Sequence, residues 1–199
     1  MFPQDIHPIT DHLVNQKSKE TLLGQRGAVF WLCGLSGSGK STLAIKLEKD
    51  LHECGFYSVV LDGDNLRETI NQDLSFNDRD REENIRRIAQ LSKLLSSNGI
   101  IVIVSAITPK ESFRIKSKEI IGEENYYEIF VHASYEKCSK RDVKGLYAKA
   151  DKGLIQDFTG KKSNFEEPQK AWLTINTEED SVLESSNNLL SKVIVEIKN

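Results

Sequence analysis

Residues 34–41 combine glycines, a lysine and a serine at a spacing that can hold a chain of phosphates. They fit the pattern G-x-x-x-x-G-K-S and lie between an apolar run and a helical pattern. Glycines let main-chain N–H groups surround an oxyanion, and the N-terminus of the next helix adds positive potential. We expect Lys40 to reach the outer phosphates and Ser41 to contact Mg²⁺. A glycine-rich turn without function is the alternative, and the full spacing favours a nucleoside triphosphate.

Two carboxylates follow a second apolar run, in the sequence LDGDNLR at residues 61–67. Strands of a parallel sheet end at the same edge, so Asp62 and Asp64 are predicted to lie near the phosphates. An acid at this place can orient an attacking hydroxyl or take its proton. The alternative is a turn followed by a helix that Asp64 or Asn65 caps. Arg67 fits that alternative less well, because its guanidinium points back toward the same edge.

Two absences favour a small-molecule kinase over other nucleotide-binding classes. The sequence contains no Asn-Lys-x-Asp motif, which a guanine-binding switch protein would carry. The apolar run at residues 100–106 ends in Ser105 and Ala106 instead of the acid that a typical magnesium-binding strand offers.

A second group of polar residues occupies the stretch from Phe76 to Arg87. Asp80 is predicted to cap a helix on which Arg81 and Asn84, three residues apart, share one face. Arg81 can hold an anion, and Asn84 can bind a hydroxyl or the edge of a base. A solvated helix start, in which the two glutamates pair with the two arginines that follow, is an equally good interpretation from chemistry alone.

Short apolar runs alternate with amphipathic stretches along most of the chain, which predicts a three-layer α/β fold with a parallel sheet. Strands are expected at residues 28–33, 57–61, 100–106, 126–132 and 172–176, and helices at 41–53, 80–97, 109–121, 135–141 and 180–198. Residues 143–168 form a long polar segment without a clear strand, and such a segment is more often a functional lid than a spacer. We find no domain boundary and expect a single domain over residues 1–199.

Composition limits the possible partners and location. The 199 residues carry a net charge of −3, so no global attraction to nucleic acid is expected. No apolar stretch is long enough to span a membrane, the first residues do not resemble a signal peptide, and a cytoplasmic location is predicted. The three cysteines are widely spaced, which argues against disulfides and zinc and predicts buried thiols.

Several motifs together resemble those of adenylylsulfate kinases over nearly the whole chain. They are GLSGSGKSTLA, LDGDNLR, DREENIRRIA, ITP, RDVKGLY and DFTG, in this order. The resemblance implies transfer of the γ-phosphoryl group of ATP to the 3′-hydroxyl of adenosine 5′-phosphosulfate, with Mg²⁺. It also implies a five-stranded parallel sheet, a homodimer and a functional link to the sulfurylase that makes the substrate.

The same resemblance implies a set of site residues. Asp62 and Lys40 would be catalytic, Ser41 would bind the metal, and Phe76 and Phe158 would stack on the substrate adenine. The residues implied for ATP are Gly34, Gly37, Ser38, Gly39, Lys40, Ser41, Thr42 and Arg141. Those implied for adenylylsulfate are Asp62, Asp64, Asn65, Arg67, Phe76, Arg81, Asn84, Ile107, Thr108, Lys144 and Phe158.

Some positions depart from the family pattern and bear on fine specificity. Thr108 replaces a serine, Ala106 a phenylalanine and Cys33 a threonine, while Lys161 and Lys162 follow the DFTG motif. Two other functions stay open: a kinase for a different nucleoside or metabolite, and a silent nucleotide-binding protein. The first would have little use for two arginines beside two phenylalanines. The second would be expected to lack a reacting group.

Overall fold

The structure is a computed structural model that describes residue 7 and residues 9–154 and 165–198. Five strands form one sheet in the order β2-β3-β1-β4-β5, and every neighbouring pair is parallel. The strands are β1 (Ala28–Cys33), β2 (Ser58–Asp62), β3 (Ile101–Ser105), β4 (Tyr126–His132) and β5 (Leu173–Asn176). The predicted fold class is therefore confirmed, and each strand lies where its apolar run predicted it.

The described residues contain eight α-helices. They are α1 (Gln16–Leu23), α2 (Lys40–Glu53), α3 (Gly63–Arg67), α4 (Asp78–Ser96), α5 (Glu111–Ile121), α6 (Tyr135–Arg141), α7 (Leu146–Asp151) and α8 (Val182–Ile197). Helix α1 was not predicted, and α3 corresponds to the helix of the alternative interpretation of LDGDNLR. Helix α7 occupies the start of the segment predicted as a lid, where the sequence showed only a polar loop. Within the described part of the chain, no helix has the length and apolar character needed to cross a membrane.

The core has two layers because successive side chains of a strand point to opposite faces of the sheet. Phe30 belongs to a buried cluster with Leu47 of α2 and Leu189 of α8. Its neighbour Trp31 belongs to a second cluster on the other face, with Ile88 of α4. All residues of β1 and β3 are buried, as expected for central strands that helices cover on both sides. Strand β1 ends directly before residues 34–41, and Ser105 at the end of β3 contacts Ser41.

Two expectations about individual residues were wrong. Asp80 does not cap α4, because the side chain of Asn77 accepts a hydrogen bond from the main-chain nitrogen of Asp80 and starts the helix two residues earlier. The carboxylate of Asp80 instead accepts hydrogen bonds from Ser75. Of the three thiols predicted to be buried, Cys54 is exposed, because it lies at the solvated C-terminus of α2.

Candidate active site

A cleft of about 730 Å³ lies at the carboxyl ends of β1, β2 and β3. Such a position is where open α/β sheets bind ligands. Of the predicted site residues, those that line it are Gly37, Gly39, Lys40, Ser41, Thr42, Asp62, Asp64, Arg67, Phe76, Arg81, Asn84, Ile107, Thr108, Arg141 and Lys144. Gly34, Ser38 and Asn65 are outside this lining, and Phe158 lies outside the described residues, as do Lys161 and Lys162.

The loop between β1 and α2 has the shape of an anion cradle. Gly34, Gly37 and Gly39 have φ angles of 145°, 79° and 102°, values that side chains other than glycine rarely adopt. A Cβ at Gly34 would lie 2.4 Å from the carbonyl oxygen of Val131, so no side chain fits there. The hydroxyl of Ser38 is buried and has no hydrogen-bond partner among the described residues. This loop therefore fits a chain of phosphates, and the hydroxyl of Ser38 is available to donate a hydrogen bond to it.

Lys40 begins α2 and is buried beside this loop. Its ammonium group donates a hydrogen bond of 2.7 Å to the carbonyl oxygen of Leu35. Burial lowers the pKa of Lys40 to about 8, because desolvation disfavours the charged form. The hydrogen bond of Lys40 thus goes to a neutral carbonyl, while the charge of Asp62 raises its pKa slightly against desolvation. Phosphates bound at the loop would add negative charge next to this cation.

The carboxylate of Asp62 connects the two sides of the cleft. One oxygen accepts a hydrogen bond of 2.9 Å from the hydroxyl of Ser41. The other caps α3 by accepting from the main-chain nitrogens of Asp64, at 3.0 Å, and Asn65, at 3.5 Å. The capping alternative was therefore right about a cap but wrong about the residue. The hydroxyl of Ser105, at the end of β3, lies 3.1 Å from that of Ser41.

The same contacts keep Asp62 ionised. Burial alone would raise its pKa, but hydrogen bonds from Ser41, from the amides of α3 and from Ser105 outweigh it and lower the pKa. A carboxylate and hydroxyls are hard oxygen ligands that suit Mg²⁺, which often binds through one or two carboxylates and substrate phosphates. Within the described residues no group of three His, Cys, Asp or Glu forms a metal cluster, and such a site does not need one.

Arg67 and Phe76 form the wall opposite the phosphate loop. Arg67 donates hydrogen bonds to the carbonyl oxygens of Leu74 and Ser75, at 3.2 and 2.8 Å. Its guanidinium lies 4.5 Å from the centre of the Phe76 ring. Phe76 is 60% exposed, so its ring can offer an aromatic face for stacking while Arg67 holds its loop in place.

Arg81 and Asn84 reach the cleft from the first turns of α4. The guanidinium of Arg81 donates a hydrogen bond of 2.6 Å to the carbonyl oxygen of Phe76. Asn84 is buried, and its amide oxygen accepts a hydrogen bond of 2.9 Å from the amide nitrogen of Asn71. Sequence analysis missed Asn71, which is fully buried in a loop that reads as ordinary polar sequence.

The charged residues between them face the other way. Glu83 pairs with Arg86 at 2.7 Å and with Arg87 at 2.9 Å, and their hydrogen bonds lower its pKa to about 2. Glu82 pairs with Lys116 of α5 at 2.7 Å. Both interpretations of this helix start are therefore partly correct, since one face is a solvated ion-pair network and another lines the cleft.

Helices α6 and α7 bring further groups to the phosphate loop. Arg141 donates hydrogen bonds to the carbonyl oxygen of Gly37 and to Thr177, both at 3.2 Å. The hydroxyl of Tyr147 donates to the carbonyl oxygen of Ser36 at 2.7 Å. Lys144 forms an ion pair with Asp64 across the cleft. Sequence analysis missed Thr177, which lies outside every motif, and Tyr147, which ends the RDVKGLY motif but whose partner Ser36 is 111 residues away.

Thr108 and Ile107 form the floor of the cleft after β3. The Thr108 side chain is buried, and its hydroxyl accepts a hydrogen bond of 2.9 Å from the indole nitrogen of Trp31. Its φ of 47° is unusual for a residue other than glycine. The carbonyl oxygen of Ile107 accepts from the amide of Gly34 at 3.2 Å. The hydroxyl of Thr108 thus engages the core, while this short segment supports the start of the phosphate loop.

The parallel sheet and the G-x-x-x-x-G-K-S loop between β1 and α2 define a phosphate-loop protein that binds nucleoside triphosphates. Comparison with known proteins narrows this class. The model of the adenylylsulphate kinase family matches residues 26–176, and the chain belongs to that family.

Individual relatives agree with this assignment. An adenylyl-sulfate kinase of Bacteroides thetaiotaomicron is 49% identical over 193 residues, which cover 97% of this chain and 96% of the relative. The structure of the Mycobacterium tuberculosis APS kinase CysC in complex with AMPPNP and APS is similar, with a TM-score of 0.82 and 38% identity. That match covers 85% of this chain and 98% of the other. A hexameric APS kinase from Thiobacillus denitrificans has a TM-score of 0.66 at 27% identity, covering 87% of this chain and 30% of the other.

Proposed function

We propose that the protein transfers the γ-phosphoryl group of ATP to the 3′-hydroxyl of adenosine 5′-phosphosulfate, giving ADP and 3′-phosphoadenosine 5′-phosphosulfate. The observation that carries the proposal is the position of Asp62. Its carboxylate contacts Ser41 of the phosphate loop and also caps α3, whose residues line the opposite wall. An acceptor hydroxyl bound against that wall would meet a carboxylate beside the terminal phosphate.

The phosphate-loop side would hold ATP. Lys40 supplies a buried cation for the outer phosphates, and Ser41 would hold Mg²⁺ beside the carboxylate of Asp62. When bound, Mg²⁺ neutralises charge on the phosphate oxygens and thereby favours transfer. Arg141 extends this side toward the end of β5, where it lines the cleft.

The main role of Asp62 would be to orient the acceptor hydroxyl. It would not remove the proton of that hydroxyl before phosphoryl transfer begins. Its lowered pKa makes it a weak base, and phosphoryl transfer passes through a loose transition state in which positioning and charge stabilisation dominate. A hydrogen bond from the acceptor hydroxyl to this carboxylate aims the oxygen at phosphorus. The proton then passes late to this carboxylate, when the forming bond has made the hydroxyl more acidic, and the carboxylate releases it to solvent.

The opposite wall would bind the sulfated nucleotide. Arg67, Arg81 and Lys144 supply positive charge for the anionic phosphosulfate, and Asn84 supplies an amide. Phe76 supplies one aromatic face for the adenine, and the resemblance assigns the second face to Phe158. Stacking of this type is worth about 1–3 kcal/mol per base in proteins that bind single strands.

Residues 143–168 would act as a lid on a single domain that spans residues 1–199. The support is that Lys144 already bridges to Asp64 and that Tyr147 contacts the phosphate loop. A closed lid excludes water, which would otherwise compete as acceptor, and strengthens each charge interaction in the site.

Assembly, supply and location complete the proposal. We include a homodimer by family likeness, which light scattering of the purified protein would test against the monomer and the hexamer. The substrate has to come from an enzyme that joins sulfate to an adenylyl group, so a functional link to an ATP sulfurylase is part of the proposal. A cytoplasmic location stays a prediction.

A coupled assay of ADP release with a panel of acceptors tests the reaction. We expect turnover with adenylylsulfate and little with adenosine or AMP, and the product should carry a phosphate on the 3′-oxygen. Equal activity with other acceptors would support the alternative kinase. Nucleotide binding without turnover on any acceptor would support the silent protein.

A further inference from the structure

Thr177, the first residue after β5, contacts three separate segments around the phosphate loop. Its hydroxyl lies 2.8 Å from the carbonyl oxygen of Ser38 and 3.2 Å from that of His132. The same hydroxyl accepts a hydrogen bond from Arg141 at 3.2 Å, and its carbonyl oxygen accepts another at 2.5 Å. No other threonine of the described chain has this many contacts with the loop and its neighbours among the hydrogen bonds found.

These contacts act on the part of the loop that would surround the phosphates. A threonine hydroxyl has one hydrogen to donate and two lone pairs to accept with, so Thr177 can hold a carbonyl and a guanidinium together. The carbonyl of Ser38 and the N–H of Gly39 belong to one planar trans peptide and point in opposite directions. Fixing the carbonyl on Thr177 therefore fixes the direction of the Gly39 N–H at the start of α2.

The guanidinium of Arg141 completes the arrangement. It donates to the carbonyl oxygen of Gly37 as well as to Thr177, and it lines the cleft. The methyl group of Thr177 lies 3.6 Å from the position that a Cβ of Gly39 would take. Thr177 and Arg141 together thus contact or approach all three loop residues 37–39.

We propose that Thr177 is a positioning residue for the triphosphate, which acts through the Ser38 peptide and through Arg141. This inference rests on the proposed function only in that the site binds a nucleotide. It predicts an effect on the nucleotide side of the cleft and none on the sulfated acceptor. A role in stability alone would instead lower the melting temperature and leave the affinity for nucleotide unchanged.

The test is titration of the full chain with Mg²⁺ and AMPPNP, which requires no acceptor and no turnover. Thr177→Val removes the hydroxyl and keeps the shape, and we expect its Kd to rise about tenfold, equal to about 1.4 kcal/mol. Thr177→Ser restores the hydroxyl and is expected to bind within about twofold of the unchanged protein. Thr174→Val, at an exposed position of β5, is the matched control and should have no effect.

An unchanged Kd for Thr177→Val, or a serine variant as weak as the valine variant, would overturn the inference. If the valine variant does not fold, Thr177→Ala decides by the same criterion, because it removes the hydroxyl without placing a methyl against two carbonyls. If the unchanged protein binds AMPPNP but does not phosphorylate adenylylsulfate, the proposed function fails while this comparison still stands. For variants that turn over, the KM for adenylylsulfate should be unchanged.

Discussion

The two sides of the cleft are built in different ways. The phosphate-loop side is buried and is held largely by main-chain atoms, with Ser38 fully buried and Lys40 only 7% exposed. The acceptor side consists of side chains that reach outward, with Phe76 60% exposed and the side chains of Lys144 and Asp64 50% and 64% exposed. The nucleotide would therefore bind to a preformed loop. The acceptor would bind to exposed side chains that hold one another in position, as Lys144 and Asp64 do through their ion pair.

The largest effect is expected from Asp62→Asn, because Asp62 belongs to both sides. Turnover should fall by about 10²–10⁴, the range typical of a group that handles the reacting proton. Affinity for Mg²⁺ and AMPPNP should change much less, since the cradle itself is intact. Steady-state kinetics and titration measure the two. A loss of nucleotide affinity as large as the loss of turnover would show that Asp62 serves only the nucleotide side.

Arg81→Ala should affect the acceptor side alone. A hydrogen bond to a charged group is worth about 1.5–3 kcal/mol, so the KM for adenylylsulfate should rise about 10- to 100-fold. The KM for ATP should stay the same. Arg79→Ala, at a nearby position of α4, serves as the control. An unchanged KM for adenylylsulfate would remove Arg81 from the acceptor wall.

The pH dependence of nucleotide binding isolates the other side. The pKa of Lys40 is lowered to about 8 in the free protein, and bound phosphates should raise it again. Below pH 8, Lys40 already carries its proton. Above pH 8, Lys40 has to take up a proton when AMPPNP binds. Affinity for AMPPNP should therefore fall by about tenfold near pH 9, one unit above that pKa. Calorimetry in buffers of different ionisation heat should detect the proton, and a pH-independent affinity with no proton uptake would contradict the assignment.

The smallest effect is expected from Glu82→Gln. This change removes the exposed ion pair with Lys116, and such pairs contribute about 0–1 kcal/mol. Neither KM should change, and thermal unfolding should shift by only a few degrees. A changed KM for adenylylsulfate would mean that the ion-pair face of α4 and its cleft face are coupled.

Much of this arrangement could be predicted from sequence because local patterns determine it. The strands follow from continuous apolar runs, and residues 34–41 carry their own turn and helix signals. Asp62 and Asp64 line the cleft, as expected for residues that follow a parallel strand at the shared edge of the sheet. The capping role of Asp62 was missed, since a carboxylate ahead of Asp64 and Asn65 leaves three candidates for one cap.

Other contacts could not be predicted because they join distant parts of the chain. Thr177 meets Ser38 139 residues away in sequence, and Tyr147 meets Ser36 111 residues away. Asn71 and Asn84 are only 13 residues apart, but their pairing depends on how a loop without regular structure folds back on α4. Helix α7 has only six residues, LYAKAD, and its packing against the loop depends on the contact of Tyr147 with Ser36.

The cap that Asp62 makes on α3 has a consequence for how this scaffold can change. Asp62 is the last residue of β2, which pairs with β3. Its carboxylate also caps α3, the helix that begins the acceptor wall. Residues after Asp62 can be replaced to give an acceptor wall of another shape, while Asp62 keeps its hydrogen bond to Ser41 of the phosphate loop. Evolution or an engineer seeking a different acceptor would therefore find the freedom downstream of residue 63 and almost none at residue 62.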